Sequence, residues 1–190
     1  MGLKDKWRRE LHKPNLPLYR MLTFFCNWLE GDFIEMGVGD GKTFAQIYAN
    51  AVLANKPVIG IDTFEGMPPP ESPGDEMYPK GMFNNYALSG FQIDYPKAAF
   101  LKGVIPEVLA DVDIPEIAFC HIDLDHRNST KAALEWVWPR MSDGGILVCH
   151  DFRWDIKVRA SGAIQDWMAE NDIVHIGLCD LSIWFQKGVS

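Results

Sequence analysis

The segment FIEMGVGDGKTF, residues 33–44, decides which fold the sequence predicts. An apolar run precedes the loop and ends near Glu35. Three glycines then follow at alternate positions: Gly37, Gly39 and Gly41. Because glycine lacks a Cβ and tolerates positive φ, this loop can turn sharply and bring its backbone close to a ligand. The helix predicted to begin near Lys42 would point its free N–H groups at an anionic group. A tight turn without a ligand is the alternative interpretation.

Strand-like apolar runs recur along the chain. They cover residues 32–37, 57–62, 98–103, 117–123, 144–151, 173–178 and 182–187. Stretches with the helical period lie between most of them, at 42–54, 84–95, 106–111, 128–138 and 157–170. This alternation predicts a parallel sheet covered by helices on both faces. Only three residues separate the last two strands, too few for a parallel crossover, so these strands must form an antiparallel hairpin.

Length and charge limit the class of protein. The chain of 190 residues predicts a single domain, with residues 1–30 as a basic, helical N-terminal extension. The chain has 18 basic and 26 acidic side chains. Residues 1–13 carry five of the basic and two of the acidic ones, so residues 14–190 have a net charge of −11. This distribution argues against nucleic acid as a partner. Since no signal peptide or long apolar run occurs, we expect a cytoplasmic protein that does not contact a membrane.

The four cysteines show no metal-binding or redox spacing. They are Cys26, Cys120, Cys149 and Cys179. Most of them lie inside apolar runs, which favours buried free thiols over disulfides or a zinc site.

An acidic residue ends the second predicted strand. Asp62 follows Gly37 by 25 residues. A carboxylate at this place can accept hydrogen bonds from both ribose hydroxyls of a nucleoside. The alternative role of Asp62 is to cap the turn after its strand.

Four segments of the chain occur in an order that resembles a known family. They are EGDFIEMGVGDGKTF, GIDTFEGMP, HIDLD with the later ST, and WPRMSDGGILVCHDF. Together they resemble the macrocin O-methyltransferases, which are class I enzymes that use S-adenosylmethionine (SAM). The resemblance runs from about Leu16 to Lys187. It implies a three-layer α/β fold of the class I methyltransferase (Rossmann-like) type, whose seven-stranded, mostly parallel sheet ends in an antiparallel hairpin.

The resemblance also implies an activity and a cofactor site. The activity is a SAM-dependent, metal-dependent transfer of a methyl group to a hydroxyl of a small molecule, commonly a sugar of a secondary metabolite. The methionine end of SAM would lie at Glu35, Gly37, Val38, Gly39 and Gly41. Asp62 would bind the ribose, and Thr63 and Phe64 would lie beside the adenosine.

Polar residues at two further strand ends form a candidate metal site. Asp123 ends one apolar run, and His150 and Asp151 end the next. Carboxyl ends of neighbouring parallel strands meet at one edge of the sheet, so these side chains can reach one cation. The family has two acidic residues where this chain has His150–Asp151, and the imidazole shifts the expected metal from Mg²⁺ toward Mn²⁺ or a later transition metal. The alternatives are a His150 that turns away, or polar strand ends without a metal.

Different roles are predicted for two histidines near this site, His126 and His121. His126 lies three residues after Asp123, where the related catechol-type enzymes have a lysine general base. We therefore take His126 and Asp123 as the candidate catalytic residues. An exposed loop histidine is the alternative for His126. His121 is expected to be a buried residue with satisfied hydrogen bonds.

Other features leave alternatives open. The proline-rich residues 67–79 form a mobile lid or plain surface. Trp136 and Trp138 are expected to pack in the core, whereas Trp154 either walls the acceptor pocket or joins the core.

An NAD-type oxidoreductase is disfavoured by the G-x-G-x-G spacing and the terminal hairpin. A SAM-binding protein without turnover stays open, because His150 replaces an acidic residue and only about 30 residues precede the first strand to supply a lid. A homodimer also stays open.

Overall fold

A computed structural model describes residues 15–84, 87–179 and 181–188 of the chain. Its seven strands are β1 (Asp32–Met36), β2 (Val58–Asp62), β3 (Ala99–Lys102), β4 (Ile117–Ile122), β5 (Met141–Cys149), β6 (Gly177–Cys179) and β7 (Ser182–Gln186). They form one sheet in the order β3-β2-β1-β4-β5-β7-β6. The pairs among β1 to β5 are parallel, and β7 runs antiparallel to both β5 and β6. The predicted mostly parallel sheet and its terminal hairpin are confirmed.

Five α-helices within the described residues cover the two faces of the sheet. They are α1 (Leu16–Phe25), α2 (Lys42–Ala54), α3 (Leu88–Asp94), α4 (Arg127–Val137) and α5 (Arg159–Asn171). Tyr19 of α1 and Phe44 of α2 belong to the apolar core on one face. Leu134 of α4 and Trp167 of α5 belong to the core on the other face. The protein therefore has three layers, and the sheet lies between two helical layers.

Some element boundaries differ from the predicted ones. The segment predicted as a helix at 106–111 forms a short 3₁₀ turn, Glu107–Asp111, and α3 is shorter than the predicted 84–95. Strand β6 has only three residues, because β7 pairs with it only from Gly177 to Cys179. Of the predicted N-terminal extension, α1 lies within the described part, whereas residues 1–14 lie outside it. None of the described helices is long and apolar enough to cross a membrane.

The strand order changes direction between β1 and β4. From β1 the chain continues to β2 and β3 on one side of the sheet, and β4 begins the other side. Loops that leave the carboxyl ends of β1 and β4 therefore diverge and leave a crevice, which is where open α/β sheets bind ligands.

Candidate active site

A cavity of about 840 Å³ opens at the carboxyl ends of the strands. Its walls come from the loops after β1, β2, β3, β4 and β5 and from helix α1. The predicted site residues in its lining are Glu35, Gly37, Val38, Gly39, Asp62, Thr63, Asp123, His150 and Asp151. Gly41, Phe64 and His126 are absent from the lining. The structure therefore brings most of the predicted cofactor residues and all the predicted metal ligands to one cavity.

The glycine loop has the conformation that its sequence indicates. Gly37 has φ +86°, and a Cβ there would lie 1.8 Å from the carbonyl oxygen of Asp123. Gly41 has φ +75°, and its Cβ would lie 2.6 Å from the ring of Phe91. A side chain is therefore excluded at both positions. At Gly37 it would collide with the backbone of Asp123, directly after β4, and at Gly41 with Phe91 of helix α3. Helix α2 begins directly after the loop, at Lys42, as predicted.

Asp62 is bonded to the glycine loop. Its Oδ2 accepts hydrogen bonds from the backbone N–H groups of Val38, at 2.8 Å, and Gly39, at 3.1 Å. Its Oδ1 accepts one from the N–H of Phe64, at 2.8 Å, which is the predicted turn-capping contact. The carboxylate also lines the cavity. Asp62 therefore ties the loop after β1 to the end of β2, and a ribose at this place would meet a carboxylate that is already fixed in position.

The two residues after Asp62 differ in their positions. Thr63 lines the cavity and donates from Oγ1 to the carbonyl of Gly66, at 2.6 Å. Phe64 packs against Phe91 and Phe100 outside the cavity lining, with ring centroids 5.7 and 6.0 Å away. Phe64 and Gly41 thus support the walls of the cavity from behind, which differs from the direct cofactor contact predicted for them.

Asp123, His150 and Asp151 form a cluster on one side of the cavity. One potential ligand atom from each lies within 4.8 Å of the others. The His150 Nδ1 is 3.3 Å from Asp123 Oδ1 and 3.3 Å from Asp151 Oδ1. Burial alone would lower the pKa of His150, but the two carboxylates outweigh it and raise that pKa well above its ordinary value. Two carboxylates and an imidazole this close together fit a divalent cation, which would replace the proton on the imidazole.

Asp125 is a further acidic residue at this cluster. It lines the cavity, and burial followed by its hydrogen bond to Asp151 raises its pKa well above the ordinary value. Its backbone has φ +59°, as does that of Asp151. The sequence offered a signal for Asp125, the second acid of Asp-Leu-Asp, but its contact with Asp151 depends on the pairing of β4 with β5.

The structure places His126 behind the cavity wall. The side chain is 2% exposed, and its Nε2 lies 3.0 Å from the carbonyl oxygen of Tyr78, which accepts a hydrogen bond from an Nε2–H. The alternative interpretation, an exposed loop histidine, is therefore wrong. The general-base prediction loses its geometric support as well, because the backbone of the Asp123–His126 turn directs this ring toward the loop that carries Tyr78. Asp123 is the predicted catalytic residue that reaches the cavity.

The proline-rich segment 67–79 is attached to the start of helix α4. Asp75 is fully buried and accepts hydrogen bonds from the backbone N–H groups of Ser72, at 3.1 Å, and Arg127, at 3.2 Å. A carboxylate at a helix N-terminus is stabilised by the helix dipole. Met67, Pro68 and Tyr78 of the same segment line the cavity. Three residues of the segment therefore form part of the cavity wall, so it is more than plain surface, and Asp75 attaches it to helix α4. Movement of the segment as a lid stays a prediction.

Beneath the glycine loop, Glu35 and His121 form a buried pair. Each is 1% exposed, and the His121 Nδ1 lies 2.7 Å from the Glu35 Oε1. Burial raises the pKa of Glu35 well above its usual value, with added effect from nearby carboxylates, and lowers the pKa of His121 to about 4. His121 is buried as expected, but its Nε2 has no hydrogen-bond partner among the described residues.

The tryptophans follow the predictions in part. Trp138 packs against Trp167 and Phe185, with ring centroids 5.4 and 6.5 Å apart, and Trp136 packs at the border of the same core. Trp154 is 51% exposed, so it belongs neither to the core nor to the cavity wall. None of the four cysteines forms a disulfide, as predicted, and Cys26, Cys120 and Cys149 are buried.

The sequence signature described as Macrocin-O-methyltransferase (TylF) matches residues 21–187, which is most of the chain. The chain belongs to this family. A similar curated protein is the 8-demethyl-8-(2,3-dimethoxy-alpha-L-rhamnosyl)-tetracenomycin-C 4'-O-methyltransferase of Streptomyces olivaceus, with 28% identity over 160 residues. The match covers 72% of this chain, and the chain spans 59% of that relative's length.

Solved structures of O-methyltransferases share the fold. The O-methyltransferase NovP has a TM-score of 0.78 at 20% identity, covering 90% of this chain and 78% of NovP. The calicheamicin methyltransferase CalS11 has a TM-score of 0.73 at 19% identity, with 92% and 79% covered. An O-methyltransferase from Bacillus cereus, solved in complex with S-adenosylhomocysteine (SAH), has a TM-score of 0.60 at 12% identity, with 97% and 88% covered. This TylF-family chain therefore has the class I methyltransferase fold that its sequence predicted.

Proposed function

We propose that this TylF-family protein transfers the methyl group of SAM to a hydroxyl of a small molecule. The observation that carries the proposal is the single cavity that joins the glycine loop and Asp62 to the Asp123–His150–Asp151 cluster. The part of the cavity at the glycine loop and Asp62 suits a nucleoside-bearing cofactor, because backbone amides, a fixed carboxylate and a helix N-terminus converge there. The part at the Asp123–His150–Asp151 cluster suits activation of an oxygen nucleophile. Membership of the TylF family supports the same assignment.

The residues that line the cavity would hold the cofactor and the acceptor next to each other. The cofactor would lie over Gly37 and Gly39 with its ribose toward Asp62, and the acceptor would lie between the cluster and the wall formed by Met67 and Tyr78. The acceptor oxygen attacks the methyl carbon in line with the carbon–sulfur bond, which breaks and leaves SAH. Holding the nucleophile and the methyl group in this alignment is the main contribution of the protein to the rate.

The proton of the acceptor hydroxyl must leave during this reaction. Asp123 is the best placed residue to accept it, because its side chain is 35% exposed at the cavity, whereas those of His150 and Asp151 are 11% and 15% exposed. Asp123, His150 and Asp151 would also hold the divalent cation, Mg²⁺ or Mn²⁺. When bound there, that cation would supply Lewis-acid stabilisation of negative charge on the acceptor oxygen.

The acceptor class is inferred from the family and its relatives. The relative from Streptomyces olivaceus is named as an enzyme that methylates a position of a rhamnosyl-tetracenomycin. CalS11 is described as a TDP-rhamnose 3'-O-methyltransferase in calicheamicin biosynthesis. We therefore assign a sugar or another hydroxylated secondary metabolite as the acceptor of this chain.

Transfer of a labelled methyl group tests the proposal. The protein is incubated with methyl-labelled SAM, Mg²⁺ or Mn²⁺, and a panel of rhamnosides, nucleotide-linked rhamnose and catechols, and SAH release is followed. We expect label on a hydroxyl of a sugar acceptor, and the matched Asp123→Asn variant should be slower by about 10²–10⁴-fold. A protein that binds SAH tightly but releases none from SAM with any acceptor would favour the alternative, a SAM-binding protein without turnover.

A further inference from the structure

The Glu35–His121 pair lies directly under the proposed cofactor site. Glu35 is on β1 and His121 is on the neighbouring strand β4, where the two residues are partners in the parallel register. Their side chains point to the same side of the sheet and meet at 2.7 Å between Oε1 and Nδ1. Glu35 reaches the cavity lining, whereas His121 is absent from it. His121 therefore acts on the cavity through the residues that it contacts, and Glu35 is the lining residue that it hydrogen-bonds.

Helix α1 fixes the histidine ring from the other side. The ring of Tyr19 packs edge-on against the His121 ring, with centroids 4.7 Å apart. The Tyr19 hydroxyl is itself held by a hydrogen bond of 2.8 Å with the Ser182 Oγ at the start of β7. Because Tyr19 of α1 packs against the His121 ring and Glu35 of β1 bonds its Nδ1, the ring has a defined orientation, and so does the carboxyl oxygen that it bonds.

The second oxygen of Glu35 lacks a partner. Glu35 Oε2 is buried and accepts no hydrogen bond from the described residues. Leaving a buried carboxyl oxygen unsatisfied costs about 1–3 kcal/mol, so a partner from outside the described residues, such as a ligand or a water, would stabilise it. Burial, and then the carboxylates of Asp123, Asp62 and Asp40, raise the pKa of Glu35. A cationic group beside Oε2 would both satisfy the oxygen and offset the repulsion among these carboxylates.

We propose that His121 is a positioning residue for the cofactor: it holds one oxygen of Glu35 so that the other is offered to the α-ammonium group of SAM, directly or through one water. The proposal rests on the proposed function. The ammonium group is the part of the cofactor with the matching chemistry, because it is a cation with several N–H donors and lies at the methionine end. His121 then sets the affinity for the amino-acid end of the cofactor and leaves the affinity for its adenosine end unaffected.

Two ligands separate this role from a structural one. SAH has both the adenosine and the amino-acid end, whereas 5′-methylthioadenosine has the adenosine and the thioether but no ammonium group. Affinities of both ligands are measured by calorimetric titration, with the fold of each variant checked by circular dichroism and thermal unfolding. The variants are His121→Leu, which removes the hydrogen bond, His121→Asn, whose amide nitrogen lies near the position of Nδ1, and His121→Gln, whose amide extends past that position. Glu35→Gln serves as the positive control.

The expected result is a selective loss. His121→Leu and His121→Gln should raise the Kd of SAH by about tenfold or more and change the Kd of 5′-methylthioadenosine by less than about twofold, while His121→Asn should retain most of the SAH affinity. If His121→Leu does not fold, the contrast between Asn and Gln decides. Equal losses for both ligands, or unchanged SAH affinity, would overturn the positioning role. A wild-type protein that binds neither ligand would instead refute the proposed function.

Discussion

A Cβ on Gly37 would lie 1.8 Å from the carbonyl oxygen of Asp123, so the loop after β1 touches the end of β4 through backbone alone. This contact brings the proposed cofactor loop and the first residue of the acid–histidine cluster to the same point of the crevice. The Asp123 N–H also donates to the carbonyl of Met36, at 2.8 Å, which extends the pairing of β1 with β4 beyond the strands themselves.

Gly37→Ala should damage this contact, and Gly39→Ala is the matched control. Gly37 combines a φ of +86° with the collision, whereas Gly39 has a φ of +53° and no atom within 4 Å of its Cβ position. We expect Gly37→Ala to lower the free energy of unfolding by about 2–5 kcal/mol and Gly39→Ala by about 1–2 kcal/mol, as measured by urea denaturation. Equal losses would show that the contact with Asp123 contributes nothing.

Asp62→Ala should lower both the free energy of unfolding of the unliganded protein and the affinity for the cofactor. Asp62 accepts hydrogen bonds from the amides of Val38 and Gly39, so its removal leaves these loop groups without their acceptor. We expect a loss of about 1–2 kcal/mol in unfolding free energy and of about 1.5–3 kcal/mol in SAH binding. Glu65→Ala removes a nearby carboxylate whose side chain is 72% exposed and absent from the cavity lining, so it is the control and should alter unfolding little. A stable Asp62→Ala protein with normal SAH affinity would remove Asp62 from the site.

His126→Ala separates the two roles considered for this residue. In the structure the ring is buried and bonds the Tyr78 carbonyl, so its loss should lower the free energy of unfolding by about 1–3 kcal/mol. At a temperature where the variant is folded, we expect kcat to fall by less than about tenfold. A general base would instead show a fall in kcat of about 10²–10⁴-fold at normal stability. Steady-state kinetics and thermal unfolding of the same preparation distinguish these results.

Removal of divalent metal should abolish methyl transfer and leave SAH binding nearly unchanged, because the cluster lies at the acceptor half of the cavity. With His150 as a ligand, Mn²⁺ should restore activity at least as well as Mg²⁺. The variant His150→Asp, which recreates the acidic pair of the family, should shift that preference toward Mg²⁺. Full activity in chelator would contradict a metal role for Asp123, His150 and Asp151. Identical metal preferences in the two proteins would show that His150 is not a ligand.

The fold could be predicted because its signals are local in the sequence. Apolar runs, helical periods and a three-residue connection before β7 determine the alternation and the terminal hairpin without knowledge of tertiary contacts. The positions of Asp123 and of His150–Asp151 directly after β4 and β5 could be predicted for the same reason, since strand ends of a parallel sheet share one edge.

The direction of individual side chains could not be predicted in this way. His126 and Asp125 are adjacent, yet Asp125 lines the cavity and His126 lies behind it, because Asp125 has φ +59° and turns the chain between them. The Glu35–His121 pair depends on the register of β1 against β4, which a strand pattern does not contain. Tyr19 lies on a helix whose sequence is ordinary for packing, so no pattern marked its contact with His121.

Titration with SAH, with NAD⁺ in parallel, tests the central assignment most directly. The cavity between the glycine loop and Asp62 should bind one SAH per chain with saturable heat, and excess SAH at 100 times its Kd should stabilise the protein by about 2.7 kcal/mol, seen as a rise in Tm. NAD⁺ should give neither heat nor a rise in Tm. Binding of NAD⁺ without binding of SAH would contradict the assignment of this cavity to SAM.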